Sequence, residues 1–193
     1  DMMKSIEYAV AIGAPVMRVV GSSLLFRFEP HGPQLEKLSQ WFSVAAKEAE
    51  RKGIKLAIEN HLDFNSDEML QLFQNVNSPN VGINFDTGNF VRVLDDPVKA
   101  MQKLVKYAFA THIKDLRIQK GAAVDDWYFF SCTPVGDGGI VDNTRIGRLL
   151  EDNGFEGFMA VEIDFLHPDY RNDEDRAVAR SVKELKRIAR TVE

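Results

Sequence analysis

The sequence predicts an α/β fold in which short parallel strands alternate with helices. Short runs, such as residues 81–86 and 158–163, are mainly apolar on both faces, as expected for strands that helices cover from outside. Between these runs lie segments with apolar residues three or four positions apart, which is the period of a helix. A repeated strand–helix order needs crossover connections and therefore predicts a parallel sheet. Two architectures satisfy this pattern, an open doubly wound sheet and a closed (βα) barrel.

The N-terminal half is expected to form helices at residues 2–12 and 35–49 and strands at residues 16–20 and 54–59. The second helix ends at Gly53, a residue type that favours helix C-termini. The residues on its apolar face are Leu35, Leu38, Phe42, Ala45 and Ala49. A third helix is expected to have Ser66 as its N-cap, because acidic residues fill the turn that follows.

The C-terminal half continues the same alternation, with strands expected at residues 81–86, 109–113 and 158–163. Asp96 precedes Pro97, a proline at the first helical position, so a helix is expected to begin there. Residues 115–142 are expected to form a long loop, and Asn143 is expected to cap the helix that follows. The last helix is expected to bury one face, made of Val178, Val182, Leu185 and Ile188.

Composition predicts a single soluble domain across residues 1–193. Apolar residues make up 45% and charged residues 27% of the chain, values that are ordinary for globular proteins. The net charge of −5 and the lack of a dense Lys/Arg run argue against nucleic acid or an anionic membrane as a partner. Cys132 is the only cysteine, which excludes an intrachain disulfide and agrees with a cytoplasmic location.

Four predicted strands end in residue types that bind metals, namely Glu59, Asp86, His112 and Glu162. The C-terminal strand ends of a βα barrel converge on one face, so these four side chains would point into one small volume. A doubly wound sheet uses a crevice at a single switch point and would not gather four strand ends. The ligand types therefore favour the barrel, although each acidic residue alone could also be a helix cap or an ion-pair partner.

Three carboxylates and one imidazole suit a hard or borderline divalent cation. We expect one metal ion, with Mn²⁺ favoured and Mg²⁺ or Co²⁺ as close alternatives. Zn²⁺ would fit too, although zinc sites more often carry additional His or Cys ligands.

Five short segments carry a resemblance to a known superfamily. They are Glu59-Asn60-His61, Asp86-Thr87-Gly88, His112-Ile113-Lys114-Asp115, residues 136–140 (GDGGI) and Val161-Glu162. In this order they resemble the xylose-isomerase-like TIM barrels, which include sugar-phosphate isomerases and epimerases, inosose isomerases and dehydratases, and the endonuclease IV group. The resemblance implies eight strands with the metal ligands on the last four. The chain is then expected to contain the C-terminal five βα units, with the first three strands missing, since a full barrel needs about 250 residues.

The resemblance also implies an activity. It implies a metal-dependent isomerase or epimerase that acts on a sugar or keto-cyclitol by proton transfer through a metal-stabilised enediolate. Glu59 and Glu162 resemble the two catalytic glutamates of the epimerase branch, one removing the proton and the other returning it. The alternative is a dehydratase, a lyase in which His61 is the acid/base group. His61 could equally do no more than orient the substrate.

Further residues near the strand ends are expected to contact substrate, namely His61, Asn89, Lys114, Asp115 and Arg117. Lys114 and Arg117 could bind hydroxyl or phosphate groups, or could be solvated loop charges. Asp115 is expected to orient Lys114 or a substrate hydroxyl. The aromatic residues of segment 125–130 could cover the pocket or could pack as a hydrophobic plug.

Two less favoured functions remain open at this stage. Many relatives, including the endonucleases, carry a histidine where this chain has Asn89, and in the endonuclease that histidine binds a multi-zinc site. Asn89 and the acidic net charge therefore argue against DNA repair. The chain could also be a degenerate subunit that binds a sugar or a partner without turnover, and a homo-oligomer is compatible with the sequence. We expect Gly136, Gly138 and Gly139 to form a turn and Cys132 to be inert. His31 lies past the end of the first predicted strand and could contact substrate.

Overall fold

The computed structural model describes residues 2–123 and 129–192. The strands are β1 (Val16–Val20), β2 (Lys55–Glu59), β3 (Val81–Asp86), β4 (Ala108–Ile113), β5 (Asp115–Ile118), β6 (Phe130–Thr133) and β7 (Met159–Val161). The helices are α1 (Met2–Ala11), α2 (His31–Lys52), α3 (Ser66–Val76), α4 (Asn89–Arg92), α5 (Pro97–Leu104), α6 (Asn143–Asp152) and α7 (Glu174–Val192).

Five strands form one parallel sheet in the order β1-β2-β3-β4-β7. The predicted α/β fold, with five parallel strands alternating with helices in chain order, is therefore confirmed. None of the described helices combines the length and the apolar character that crossing a bilayer requires.

The two faces of the sheet differ in chemistry. Large apolar side chains on one face, such as Leu56, Ile58 and Ile83, join the core formed with the helices. The register pairs Val20 with Glu59 and Asp86 with His112. Because side chains alternate along a strand, the opposite face carries the polar set. That set consists of Arg18, Glu59, Asn84, Asp86 and His112.

Helix boundaries follow the predicted signals at two of four positions. Gly53 ends α2 with a φ of 69°, and the Asp96 carboxylate accepts the backbone N–H groups of Val98 and Lys99. The predicted cap of α3 is wrong by one residue, because Asn65 forms the capping box with Glu68. The predicted cap of α6 is also wrong by one residue: Asp142 accepts the N–H of Arg145, while the Asn143 amide donates to the Lys114 carbonyl.

Two other expectations need correction. The segment expected to be a loop contains the antiparallel pair β5–β6, whose strands are too short for a clear sequence pattern. The predicted face of the last helix is only half buried. Leu185 and Ile188 lie in a core cluster against Ile113, whereas Val178 and Val182 are 44% and 38% exposed.

Candidate metal centre

The parallel register brings together the four side chains at the strand ends. Glu59 and Asp86 are the last residues of β2 and β3, His112 is the penultimate residue of β4, and Glu162 directly follows β7. One potential ligand atom from each of the four residues lies within 4.8 Å of the others. The structure therefore places in one cluster the four residues that the sequence proposes as metal ligands.

His112 lies at the centre of this cluster. Its Nδ1 atom is 2.5 Å from Glu162 Oε2, 3.6 Å from Glu59 Oε2 and 4.0 Å from Asp86 Oδ2. Burial alone would lower the pKa of His112, but the close carboxylates of Glu162 and Glu59 raise it to about 9. Without a cation, a proton on His112 therefore offsets part of the negative charge.

The donor atoms of the cluster fit a divalent cation. Glu59 Oε1 is buried and has no hydrogen-bond partner among the described residues, whereas His112 Nδ1 and Glu162 Oε2 are buried in contact with each other. Buried polar atoms are normally paired, so an unpaired carboxylate oxygen beside an imidazole nitrogen and a second carboxylate fits the role of a cation ligand. Oxygen and imidazole donors without a thiolate match Mn²⁺, Mg²⁺, Co²⁺ or Zn²⁺.

Arg18 is part of this site, although the sequence analysis did not select it. Its Nε–H donates to Glu59 Oε2, and the Asn84 amide lies 3.4 Å from the same oxygen. Burial alone would raise the pKa of Glu59, but contacts with His112 and Arg18 lower it to about 2. The available signal was an arginine within the otherwise apolar strand β1. Arg18 thus fixes one oxygen of Glu59 and leaves Oε1 free.

Asp86 is held by a dense set of hydrogen bonds. Its Oδ1 accepts the N–H groups of Gly88 and Asn89 at 2.9 and 3.0 Å, and its Oδ2 accepts the Asn89 amide at 2.9 Å. The Asn60 amide joins β2 to β3 by bonding both the N–H and the carbonyl of Asp86, each at 2.9 Å. Complete burial raises the pKa of Asp86, and the neighbouring Lys114 ammonium opposes that shift.

Lys114 is buried among carboxylates. Its Nζ atom lies 2.9 Å from Asp86 Oδ2, 3.0 Å from Asp164 Oδ2 and 3.4 Å from Glu162 Oε2. Burial alone would lower the pKa of Lys114, but the surrounding carboxylates raise it. Lys114 is therefore a protonated neighbour of two candidate ligands. Its binding of a substrate hydroxyl or phosphate stays a prediction, and its contact with Asp164 was not expected.

Asp115 organises the glycine-rich segment beside the site. Its carboxylate accepts the N–H groups of Gly136 and Val141, both at 3.1 Å. A Cβ atom at Gly139 would overlap this carboxylate, so the close approach requires glycine. The described contacts of Asp115 thus hold a turn, and Lys114 is bound by Asp86 and Asp164 instead of Asp115.

The two other predicted substrate residues lie outside the cluster. Arg117 pairs with Asp169 at 3.0 Å. His61 follows β2, and its backbone N–H donates to Asp63 Oδ1 at 3.0 Å. The Nδ1 atom of His61 is buried and has no hydrogen-bond partner among the described residues. Substrate contact by either side chain stays a prediction.

His31, His167 and Cys132 have local contacts outside the cluster. His31 Nδ1 lies 2.7 Å from Glu68 Oε1, and His167 accepts the N–H of Asp169. Cys132 is buried 2.8 Å from Asp164 Oδ1, and burial raises the pKa of its thiol to about 12.

The expected aromatic cover of the pocket falls partly on residues 124–128, which lie outside the described residues. Phe129 and Phe130 are described. They line a cleft of about 610 Å³ at the C-terminal end of the sheet, together with Leu62, Arg92 and Leu94.

Comparisons with known proteins agree on one family. The sequence profile of the xylose isomerase-like TIM barrels matches residues 1–188. The inosose dehydratase of Clostridium perfringens is 30% identical over 125 residues, which cover 59% of this chain and 42% of the relative. The chain thus spans less than half the length of that relative.

Solved structures share the fold. A xylose isomerase domain protein from Planctomyces limnophilus superposes with a TM-score of 0.77 at 21% identity, covering 99% of this chain and 64% of that protein. The IolI protein, solved with a bound zinc atom, superposes with a TM-score of 0.74 at 18% identity, covering 100% and 69%. The profile matches nearly the whole chain, and the fold agrees with that of the solved structures. The chain therefore belongs to the xylose isomerase-like TIM barrel family.

Proposed function

We propose that this chain carries the metal centre of an enzyme that isomerises or epimerises a sugar or keto-cyclitol by proton transfer next to the carbonyl. The observation that carries the proposal is the cluster of Glu59, Asp86, His112 and Glu162, whose ligand atoms lie within 4.8 Å of one another. One buried oxygen of the cluster, Glu59 Oε1, has no hydrogen-bond partner among the described residues, and a degenerate binding subunit has no need to keep such an arrangement.

The four residues would hold one divalent cation, with Mn²⁺ favoured and Mg²⁺, Co²⁺ or Zn²⁺ as alternatives. When bound there, the cation would supply electrophilic stabilisation of the oxygen anion that develops as the neighbouring C–H bond loses its proton. The zinc atom in the related IolI structure supports a divalent metal in this fold without deciding which metal this chain prefers.

Glu162 is the proposed base that removes the substrate proton. Its side chain is 34% exposed, whereas that of Glu59 is 1% exposed, so Glu162 faces the accessible side of the cluster. Glu59 is buried, with its Oε2 atom 3.6 Å from His112 Nδ1, and is the proposed second proton carrier. Two carboxylates on different sides of a bound substrate allow removal and return of the proton on opposite faces, which inverts the carbon.

The substrate-contact residues that we propose are His61, Asn89, Lys114, Asp115 and Arg117. Asn89 and Lys114 act closest to the chemistry, because both contact Asp86 directly. Several hydrogen-bonding and charged groups beside one cation suit a polyhydroxylated ligand.

A second candidate function is dehydration, which one specific observation favours. His61 Nδ1 is buried without a hydrogen-bond partner among the described residues, as a proton-transferring imidazole awaiting a substrate hydroxyl would be. The named activity of the Clostridium perfringens relative, inosose dehydratase, supports the same reaction class. Isomerisation and dehydration share the first proton abstraction, so the same base serves both.

Solvent-deuterium exchange tests the proposal. The purified protein is incubated in deuterated buffer with Mn²⁺ and a panel of ketoses and inososes, and mass spectrometry locates any deuterium incorporated. We expect exchange at the carbon next to the carbonyl, and loss of that exchange with chelator. Product analysis separates epimerisation from elimination, and a His61→Asn variant that loses elimination while keeping exchange would assign dehydration to His61. No exchange, together with no uptake of Mn²⁺ or Co²⁺ at micromolar concentration, would instead favour a non-catalytic binding role.

A further inference from the structure

Asp164 is an unassigned carboxylate next to the metal cluster. It lies two residues beyond Glu162 and does not belong to the group of four potential ligands found among the described residues. Its side chain is 24% exposed. Its Oδ2 atom lies 3.0 Å from Lys114 Nζ and 3.1 Å from Arg92 Nη1, so Asp164 takes part in two ion pairs.

Both oxygens of Asp164 are engaged. Oδ1 accepts the Phe165 N–H at 2.8 Å and lies 2.8 Å from Cys132 Sγ. Oδ2 accepts Arg92 Nη1 at 3.1 Å and Lys114 Nζ at 3.0 Å. A carboxylate with four such contacts, drawn from four segments of the chain, has little freedom to rotate.

The position of Lys114 depends on this carboxylate. The Lys114 ammonium lies 3.0 Å from Asp164 Oδ2 and 2.9 Å from Asp86 Oδ2, with Glu162 Oε2 at 3.4 Å. A lysine side chain is flexible and its ammonium is a point charge, so it moves toward whichever carboxylates attract it most. Without Asp164, the attraction of Asp86 and Glu162 would act on Lys114 unopposed.

That attraction competes with metal binding. The oxygens that Lys114 approaches belong to two of the four proposed ligands, and an ammonium that binds them more tightly competes more strongly with a cation. Removing the charge of Asp164 also makes the surroundings less negative, which further disfavours a dication. Stronger competition by Lys114 and the loss of a negative charge would both lower the affinity for a divalent cation.

We propose that Asp164 is a positioning residue, which shares the Lys114 ammonium with Asp86 and Glu162, so that the ammonium competes less strongly with a divalent cation for these two carboxylates. This inference rests on the proposed metal centre and extends it to a residue outside the ligand set. Arg92, whose side chain is only 7% exposed, assists by donating to the same Asp164 oxygen at 3.1 Å.

The test is the affinity for Co²⁺, followed by the visible absorption of the bound ion, which needs no catalytic turnover. Asp164→Asn keeps the shape of the side chain and removes its charge. We expect it to weaken Co²⁺ binding about 10- to 100-fold, the usual effect of changing a partner of a metal ligand. The matched control is Glu48→Gln, which removes another ion pair, with Arg51 on the surface of α2, and should leave the affinity within about twofold.

A double-mutant cycle shows whether Asp164 acts through Lys114. In a Lys114→Met background, Asp164→Asn should weaken Co²⁺ binding much less than it does in the unmodified protein, because only the direct effect of its charge on the cation remains. An equal loss in both backgrounds would overturn the proposal, as would wild-type affinity of the single variant. Urea unfolding of the metal-free variants checks that folding is retained. Should Asp164→Asn fail to fold, Arg92→Gln is expected to weaken Co²⁺ binding in the same direction, and wild-type affinity there would refute the inference.

Measurements on the wild-type protein distinguish failure of the proposed metal centre from failure of the proposed role of Asp164. A wild-type protein that does not bind Co²⁺ contradicts the metal centre itself. A wild-type protein that binds Co²⁺ as tightly as its Asp164→Asn variant contradicts only the role of Asp164.

Discussion

His112 Nδ1 lies 2.5 Å from Glu162 Oε2, and this contact joins the ends of neighbouring strands β4 and β7. With Glu59 also near, the contact raises the pKa of His112 to about 9, against the effect of burial. In the absence of a cation the imidazole therefore holds a proton at the position from which it would bind a metal. A metal ion and this proton are alternatives.

Metal affinity should therefore rise with pH. Because a metal binds only the neutral imidazole, binding below about pH 9 must release the His112 proton. We expect Co²⁺ affinity to increase about tenfold per pH unit between roughly pH 6.5 and 8.5, measured by absorption titration. The pKa of Asp86 is raised too, so any proton on this carboxyl must also leave before a metal binds. This makes the rise of metal affinity with pH steeper. His112→Asn should reduce the slope, and an affinity that is flat over this range in the unmodified protein contradicts the assignment of His112.

Replacing Glu162 by Gln should abolish proton abstraction. An amide cannot accept the substrate proton, so we expect solvent-deuterium exchange to fall by at least about 100-fold, within the range for loss of a general base. Weak Co²⁺ binding should persist, because three ligands remain. Glu156→Gln, an exposed position shortly before β7, serves as the control and should exchange normally. Full exchange by the Glu162→Gln variant would remove this residue from the mechanism.

Asn89 should contribute to stability as well as to the site. Its buried amide donates to Asp86 Oδ2 at 2.9 Å, so Asn89→Ala leaves a buried carboxylate with one donor fewer. We expect a loss of about 1–3 kcal/mol in the free energy of unfolding, measured with urea. Asn75→Ala, at an exposed position whose amide lies 3.3 Å from Ser39 Oγ, should change it by less than about 0.5 kcal/mol. Equal effects at the two positions would show that the Asn89–Asp86 contact adds nothing.

Gly139 should not tolerate a larger residue. A Cβ atom there would overlap the Asp115 carboxylate, which anchors the N–H groups of Gly136 and Val141. Gly139→Ala is therefore expected to cost about 1–3 kcal/mol in unfolding experiments, the usual effect of overpacking. Gly32→Ala in the first turn of α2 meets no neighbour within 4 Å and should instead be neutral or stabilising. A Gly139→Ala variant as stable as the Gly32→Ala variant would refute the close approach.

The strands and the four clustered residues were predictable because they depend on local patterns. An apolar run followed by Glu59 or Asp86 marks a strand end, and parallel strands place such ends side by side. The capping errors at Asn65 and Asp142 are shifts of one residue. In both cases two adjacent polar residues could serve as caps, and only the backbone conformation shows which one does.

The charges around the cluster were not predictable in the same way. Arg18 belongs to a different strand from Glu59, and Asp164 reaches Lys114 across 50 positions of sequence. Contacts between residues so far apart in sequence depend on strand register and on loop conformation, and neither can be inferred from local sequence patterns. The β5–β6 pair was missed for a related reason, since its partners are joined through a long connection and each strand has four residues.

The Asn60 amide, which bonds both the N–H and the carbonyl of Asp86, fixes the spacing of β2 and β3 at their ends before any cation arrives. Glu59 and Asp86 are thereby held by main-chain geometry and do not have to be drawn together by the ion. A site built in this way requires little reorganisation on metal binding. Metal ions should then be discriminated mainly by radius and preferred coordination, because the protein frame cannot readily expand or contract to suit each one.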